Sequence, residues 1–231
     1  MDFSIIWDNF HYLALGAYPH GSIGGAVLTI FISLCAGLCA TLLGLLWGVS
    51  LVMYNNWLTK LLLWVLGFFR AIPVIMLIFW VYFLLPILFN IEAPASVSVI
   101  AALTLIYAAY LANIIKAGIV ALGDGQWQAG LSLGLNRWQV LALIILPQAI
   151  RMMVPSIVNQ WIALIKDSSL AYIINVTELT YIATQINGDN YGVYSVEIFM
   201  FIGASYFLFC LLVDATANGL NHLFSPKKHR V

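Results

Sequence analysis

Five runs of the sequence are long and apolar enough to cross a lipid bilayer: about 24–53, 61–89, 97–121, 140–165 and 196–222. A hydrocarbon core about 30 Å thick takes about 20 apolar residues per helix. In lipid, every backbone N–H and C=O must find its partner within the protein, which leaves the helix as the natural form for such runs. The expectation is an all-α polytopic membrane protein with five transmembrane helices. The first two runs exceed the bilayer, so tilt or a kink is expected in each. Charged residues are only 8% of the chain and hydrophobic ones 63%, whereas a soluble domain carries about 25% charged residues.

The short segments between the runs fix an orientation. One alternate set carries Lys60, Arg137, Lys227, Lys228 and Arg230, with Lys116 and Arg151 nearby. The other set carries Lys166 against Asp2, Asp8, Glu92, Asp167, Glu178 and Asp189. Lysine and arginine are retained on the cytoplasmic side. The N-terminus is therefore expected outside and the C-terminus inside. Residues 1–23 form an extracytoplasmic segment, 24–222 the transmembrane domain and 223–231 a cytoplasmic tail. Residues Met1 to Gly21 show no signal-peptide pattern, having two aspartates and no Lys or Arg.

Several function classes are excluded. A net charge of zero offers nothing to nucleic acid. Cys35, Cys39 and Cys210 lie in apolar runs, and the pair Cys35 and Cys39, one helical turn apart with no His or acidic residue nearby, reads as packing residues. An intramembrane enzyme would need paired aspartates, a His-Glu-x-x-His or a Ser/His pair within the spans. The four histidines lie outside or at the ends of them. No phosphate-binding Gly-x-x-x-x-Gly-Lys loop is present. No inverted repeat is visible, which argues against a self-sufficient secondary transporter. Ala36, Ala40, Gly44 and Gly48 form a small-residue ridge that lets another helix approach closely. Five helices make a thin-walled pathway, so a partner subunit is expected.

The segment "GQWQAGLSLGLNRWQVLALIILPQA", Gly125 to Ala149, stands out by its polarity on the cytoplasmic side. As one helix over 126–139, it places Trp127, Leu131, Leu135 and Trp138 on one face and Gln128, Ser132, Asn136 and Gln139 on the other. Gly130 and Gly134 weaken such a helix, and suggest a sharp turn or a close backbone approach to another protein. The polar face holds one Arg and no Lys, which suits protein docking better than anionic lipid. Beyond it, the run toward Pro147 reads as a hydrophobic helix broken by that proline.

Charged groups inside spans are functional candidates. Arg70 sits well within the second span before Pro73, facing either the pathway or the carbonyls that Pro73 frees. Asp214 reads as a subunit contact, and Lys116 and Arg151 as side chains reaching the cytoplasmic interface from helix ends. Lys166-Asp167-Ser168-Ser169 is followed by apolar Leu170 to Ile174, so this stretch is expected to dip back among the helices and line a cavity. There Asn159, Lys166, Asp167 and Ser168 would present a mixed set of charged and polar groups.

The spacing Gln128-Ala129-Gly130, three residues, Gly134, nine residues, Ile144-x-Leu146-Pro147 resembles the EAA loop of permease subunits in bacterial ABC importers. That signature reads Glu-Ala-Ala, three residues, Gly, nine residues, Ile-x-Leu-Pro; Gln128 and Gly130 depart from it. "RAIPVIMLIFWVYFLLP", "AGIVALGDGQ" and "LPQAIRMMVPSIVNQWIALIKDSSLAYIINVTEL" look like the polar amino acid branch of these permeases, with Asn113 and Lys116 where the branch has Glu and Arg. "FFRAIPVIM" and "LIILPQAIRMMVP" are most similar to permeases of glutamate/aspartate importers.

The resemblance implies a type I ABC importer permease fold with a cytoplasmic coupling helix, at about 122–139. Gln128, Ala129, Gly130, Gly134, Asn136 and Arg137 would contact the ATPase. Asn159, Lys166, Asp167 and Ser168 would meet the two charges of an α-amino acid, Lys166 taking its carboxylate and Asp167 orienting Lys166 or meeting the ammonium. The implied partners are a cytoplasmic ATPase dimer that uses ATP and Mg, a sister permease or second copy, a periplasmic amino-acid-binding protein and membrane lipid. This chain itself would bind no cofactor and catalyse nothing. An intramembrane enzyme, or a channel or scaffold without an ATPase, is the alternative.

Overall fold

The computed structural model describes residues 2–90 and 93–224, with the backbone alone for 218 and 220–224. Glu92, Lys227, Lys228 and Arg230, on which part of the orientation argument rests, lie outside the described residues, as does most of the tail. Two short helices come first, α1 (Ser4–Asp8) and α2 (Phe10–Leu15). They are followed by α3 (Gly25–Met53), α4 (Trp57–Ala71), α5 (Val74–Phe79), α6 (Leu85–Phe89) and α7 (Ala95–Val120). The rest comprises α8 (Gly123–Ser132), α9 (Arg137–Val140), α10 (Leu146–Asp167), α11 (Leu179–Asp189) and α12 (Ser195–Phe224). Among the described residues, four helical stretches meet the length and apolarity of a membrane span, and the bent pair α4 with α5–α6 counts as a fifth when taken as one span.

The centre of the bundle is the pairing of α3 with α7. In lipid, helices associate by close packing and not by escape from water, which favours small residues at the contact. The ridge on α3 serves this contact within the chain itself. A Cβ on Gly44 would stand 2.7 Å from Leu111 Cβ, and one on Gly48 2.7 Å from Ile115 Cβ. Ala36 and Ala40 are fully buried, as are Ala108, Ala109 and Ala112 of α7, and Thr104 Oγ1 of α7 donates to the Ala36 carbonyl at 3.5 Å.

Pro73, Pro86 and Pro147 shape the other spans in two ways. Ile72 is extended, as the residue before a proline prefers to be, and Pro73 then starts α5 without needing an N–H partner. The second span bends by 106° there, far beyond the kink that its length suggested. At Pro147 the outcome is the opposite. The helix is not broken; it runs from Arg137 to Ile174, with a widened π-helical turn at Leu141–Ile145 just before the proline. The same device, Trp80–Leu84, precedes Pro86. Widening the preceding turn moves aside the carbonyl that the proline ring would strike. Arg151 therefore lies well inside a long helix and not near its end.

At one end of the bundle, a cap of α1, α2, α11 and the first turns of α12 closes over Ile6, Leu13, Ile182, Ile186 and Ile198. The Asp2 N–H donates to Glu197 Oε1 at 3.1 Å, and Tyr12 Oη to Gln185 Oε1 at 3.1 Å. The buried Glu178 holds this end together. Its carboxyl oxygens accept from the Thr180 and Tyr181 N–H groups (2.9 Å each), from Tyr206 Oη on α12 (2.9 Å) and from Thr29 Oγ1 on α3 (3.3 Å). Burial pushes this carboxyl above the ordinary carboxylate range, and the four donors pull it back. A proton bound more tightly in the folded state makes stability fall as pH rises from the ordinary range through the raised value. Glu178→Ala takes the acceptor from the Thr180 and Tyr181 N–H groups and leaves Thr29 and Tyr206 only their bonds to the Gly25 carbonyl and Thr180. A loss of about 2–3 kcal/mol is therefore expected, read as a lowered melting temperature of the purified subunit. An unchanged melting temperature would show that the junction contributes little.

Candidate functional site

The polar element between α7 and α10 is a helix, a turn and a second helix, where the sequence pattern suggested one amphipathic helix over 126–139. Helix α8 ends in a Schellman arrangement: the Gly134 N–H donates to the Leu131 carbonyl at 3.0 Å and the Leu135 N–H to the Gly130 carbonyl at 3.3 Å. That motif needs a left-handed residue after the cap, and Gly134 supplies it with φ +82°. Asn136 then starts α9 with a capping box. Its side chain accepts from the Gln139 N–H at 2.9 Å, and the Gln139 side chain accepts from the Asn136 N–H at 2.8 Å. The polar residues at the turn thus have local structural work.

The two glycines do different things. A Cβ on buried Gly130 would meet Val140 Cγ2 at 2.7 Å, so the close approach there is within the chain. A Cβ on Gly134 would meet nothing within 4 Å, so its surface stays open. Gln128, Ala129, Gly134, Asn136 and Arg137 are all exposed. Trp127 and Leu135 pack toward the core formed by Ile119, Val140 and Ile145. Trp138, half exposed, meets Tyr54 edge to face at the end of α3. A cavity of about 370 Å³ lies between α8 and the ends of α3 and α7, lined in part by Asp124, Gln128 and Arg137.

The residues expected to meet an amino acid are distributed over different faces. Ser168–Ile174 continues the long helix as a 3-10 segment where a dip back was expected, and its Ala171 and Ile174 pack into the main core. Ser168 is buried, with Ser33 Oγ of α3 donating to it at 3.1 Å. Asp167 Oδ2 accepts from Tyr107 Oη at 2.6 Å, so its hydrogen bond goes to α7 and not to Lys166. Lys166 is exposed, one turn beyond Ile162, whose carbonyl faces Cys210 Sγ of α12 at 3.9 Å. Asn159, two turns before Lys166, is exposed on the same face. The expected Lys–Asp cluster is therefore split.

Arg70 lies in the last turn of α4 just before the sharp bend, with its side chain exposed. Its backbone carbonyl accepts from Tyr110 Oη at 3.2 Å. A tyrosine of α7, and not the arginine itself, thus serves a carbonyl beside Pro73. Tyr107 and Tyr110 stand 6.3 Å apart, ring centre to ring centre. One turn of α7 therefore reaches Asp167 with one hydroxyl and Arg70 with the other. Sequence reasoning singled out neither tyrosine. The available signal was their position near the middle of a span, away from the interfaces where tyrosines usually sit.

Comparison with known proteins bears on the whole chain. Residues 40–226 match the family described as binding-protein-dependent transport system inner membrane component. The chain is 35% identical to the glutamate/aspartate import permease protein GltK of Escherichia coli O6:H1, over 82% of its own length and 87% of that protein. It is 30% identical to the glutamine transport system permease protein GlnP of Escherichia coli K12, over 92% and 93% of the two chains. Its fold matches a crystal structure of an amino acid ABC transporter with histidines, with a TM-score of 0.82 at 24% identity, covering 97% and 99% of the two chains. A methionine ABC transporter, MetNI in an inward-facing form, matches with a TM-score of 0.75 at 19% identity, covering 86% and 94%. With its apolar spans, its fold and these relatives together, the chain belongs to the inner membrane components of binding-protein-dependent transport systems, as a permease subunit of an amino acid ABC importer.

Proposed function

We propose that this subunit and a second permease, its own copy or a sister chain, form the path for a polar amino acid, with glutamate or aspartate favoured over glutamine. A periplasmic binding protein delivers the amino acid. Two cytoplasmic ATPase subunits hydrolyse ATP with Mg and drive the cycle through the α8–α9 element. The observation that carries this reading is the construction of that element. Its fold is fixed by the Schellman end, the capping box and the Val140 contact, while Gln128, Ala129, Gly134, Asn136 and Arg137 remain open to a partner. The preference for an acidic amino acid is supported by the identity to the glutamate/aspartate permease.

In this reading Arg70 and Asp167 bracket the substrate. An exposed arginine at membrane depth is costly against lipid, so it faces a polar path or a partner. Arg70 offers two parallel hydrogen bonds to a carboxylate, and Asp167, steadied by Tyr107, offers a negative partner to the ammonium. Ser168 contributes to the local frame through Ser33, and Lys166 with Asn159 lies on another face. Uptake of labelled glutamate, aspartate and glutamine into vesicles holding the assembled complex tests the reading. ATP-dependent uptake of none of them would defeat it.

The orientation is tested separately, in a background where Cys35, Cys39 and Cys210 are replaced. With the N-terminus outside, Asn190→Cys is expected to react in intact cells with a membrane-impermeant thiol reagent, and Asn136→Cys only after the membrane is opened. The reverse labelling pattern would invert the topology.

A further inference from the structure

The turn between α11 and α12 places two successive residues in the left-handed region, Tyr191 at φ +55° and Gly192 at φ +75°. Glycine adopts this without penalty, whereas a side chain there costs about 1–2 kcal/mol. The turn is firmly held. The Tyr191 N–H donates to the Gly188 carbonyl at 3.0 Å, the Gly192 N–H to Asn187 at 2.9 Å and the Val193 N–H to Asn190 at 3.1 Å. The Ser195 hydroxyl reaches both the Gly192 carbonyl (2.7 Å) and Asn187 Oδ1 (2.9 Å). None of these bonds uses the Tyr191 ring, which is 95% exposed, and Val193 beside it is 73% exposed. The backbone is thus strained at a residue whose side chain does almost nothing for its own subunit. Strain kept in place by surrounding structure points to a use outside the fold.

The surroundings specify the partner. The turn stands on the cap of α1, α2 and α11, at the end of the subunit read as extracytoplasmic. Asp2, Asp8 and Asp189 are exposed on these segments, and residues 2–23 and 168–195 contain no Lys or Arg. A surface on which these aspartates outnumber the neighbouring Lys166 repels anionic headgroups, which draw basic segments instead. It complements a soluble protein whose contact patch carries lysine and arginine. Tyrosine is a favoured anchor in protein interfaces, bringing a large rigid ring at little entropic cost.

We infer that Tyr191, with Val193, is the anchor on which the ligand-delivering soluble protein docks, its ring entering a shallow apolar pocket edged by basic residues. This rests on the importer reading above. The test uses the assembled complex in lipid nanodiscs, with ATP hydrolysis followed against rising concentrations of the amino-acid-loaded binding protein encoded with the permease. Tyr191→Gly removes the ring and relieves the strained backbone, so a role confined to the turn itself would leave docking intact. The expected result is a tenfold or larger rise in the half-saturating concentration, about 1.4 kcal/mol per tenfold, with the maximal rate retained and the melting temperature not lowered. Tyr191→Phe is expected to stay within about twofold of wild type, because its ring still fills the pocket. An unchanged half-saturating concentration for Tyr191→Gly places the ring in solvent or among lipid headgroups and overturns the inference alone. A wild-type complex indifferent to the binding protein overturns the importer reading and this inference with it.

Discussion

Gly134→Leu is expected to leave the subunit inserted and assembled in the membrane, and to cut substrate-stimulated ATP hydrolysis by tenfold or more. Two physical effects act at this position. The left-handed backbone makes any ordinary side chain cost about 1–3 kcal/mol locally. The space where a Cβ would go is empty within the subunit, so a leucine projects outward into the proposed ATPase contact. Gly134→Asn separates the two effects, because asparagine tolerates the left-handed region yet still carries a side chain into the contact. If the contact matters, Asn uncouples the complex nearly as well as Leu. If only the turn matters, Asn keeps most of the stimulation. Normal stimulation with leucine would show that the ATPase does not sit against this turn.

Gly130 is expected to behave differently, because the obstruction there is inside the chain. Val140 fills the space that a Cβ would need, in a core region that also takes in Ile119 and Ile145. The departure from alanine at this point of the EAA-like signature therefore has a local cause: Val140 leaves no room for alanine's methyl group. The other departure, Gln128, is exposed and lies on the rim of the cavity beside α8, where the fold places no demand on its identity.

The spans were legible in the sequence because length and apolarity alone decide whether a run can cross lipid. The packing of Ala171 and Ile174 among the helices was legible for a related reason, an apolar run directly after a polar cluster, although the segment continues the helix and does not dip back. The outcome at each proline was not. Pro73, Pro86 and Pro147 all remove a helix hydrogen bond, yet one gives a 106° bend and two are absorbed by a widened turn. The difference lies in Ile72, which is extended, against Leu85 and Leu146, which stay helical. Sequence alone does not fix that choice, because packing on α7 helps to make it. The split of Lys166 from Asp167 is likewise tertiary. Adjacent residues on a helix point about 100° apart, so a charged pair next to each other in sequence commonly serves two neighbours. Asp167 turned to Tyr107, and nothing about a tyrosine in an apolar helix announces such a partner in advance.

That split changes which cation is expected to hold the substrate, and the two assignments differ in a measurable way. Arg70→Met removes a guanidinium that would make charge-assisted hydrogen bonds to the amino acid carboxylate, worth about 1.5–3 kcal/mol. Uptake by the assembled complex at limiting amino acid should fall by roughly ten- to a hundredfold, while the purified binding protein, a separate chain, keeps its affinity. Tyr107→Phe should give a smaller loss of the same kind, because Asp167 keeps its charge but loses the hydroxyl that fixes its position at 2.6 Å. Arg70→Lys should recover only part of the loss, since an ammonium cannot reproduce the two-pronged contact. Lys166→Met, on the face of α10 toward α12, should stay within about twofold of wild type. Severe loss with Lys166→Met and near-normal uptake with Arg70→Met would restore the pairing that adjacency in the sequence suggested, and would move the substrate to the other side of α10.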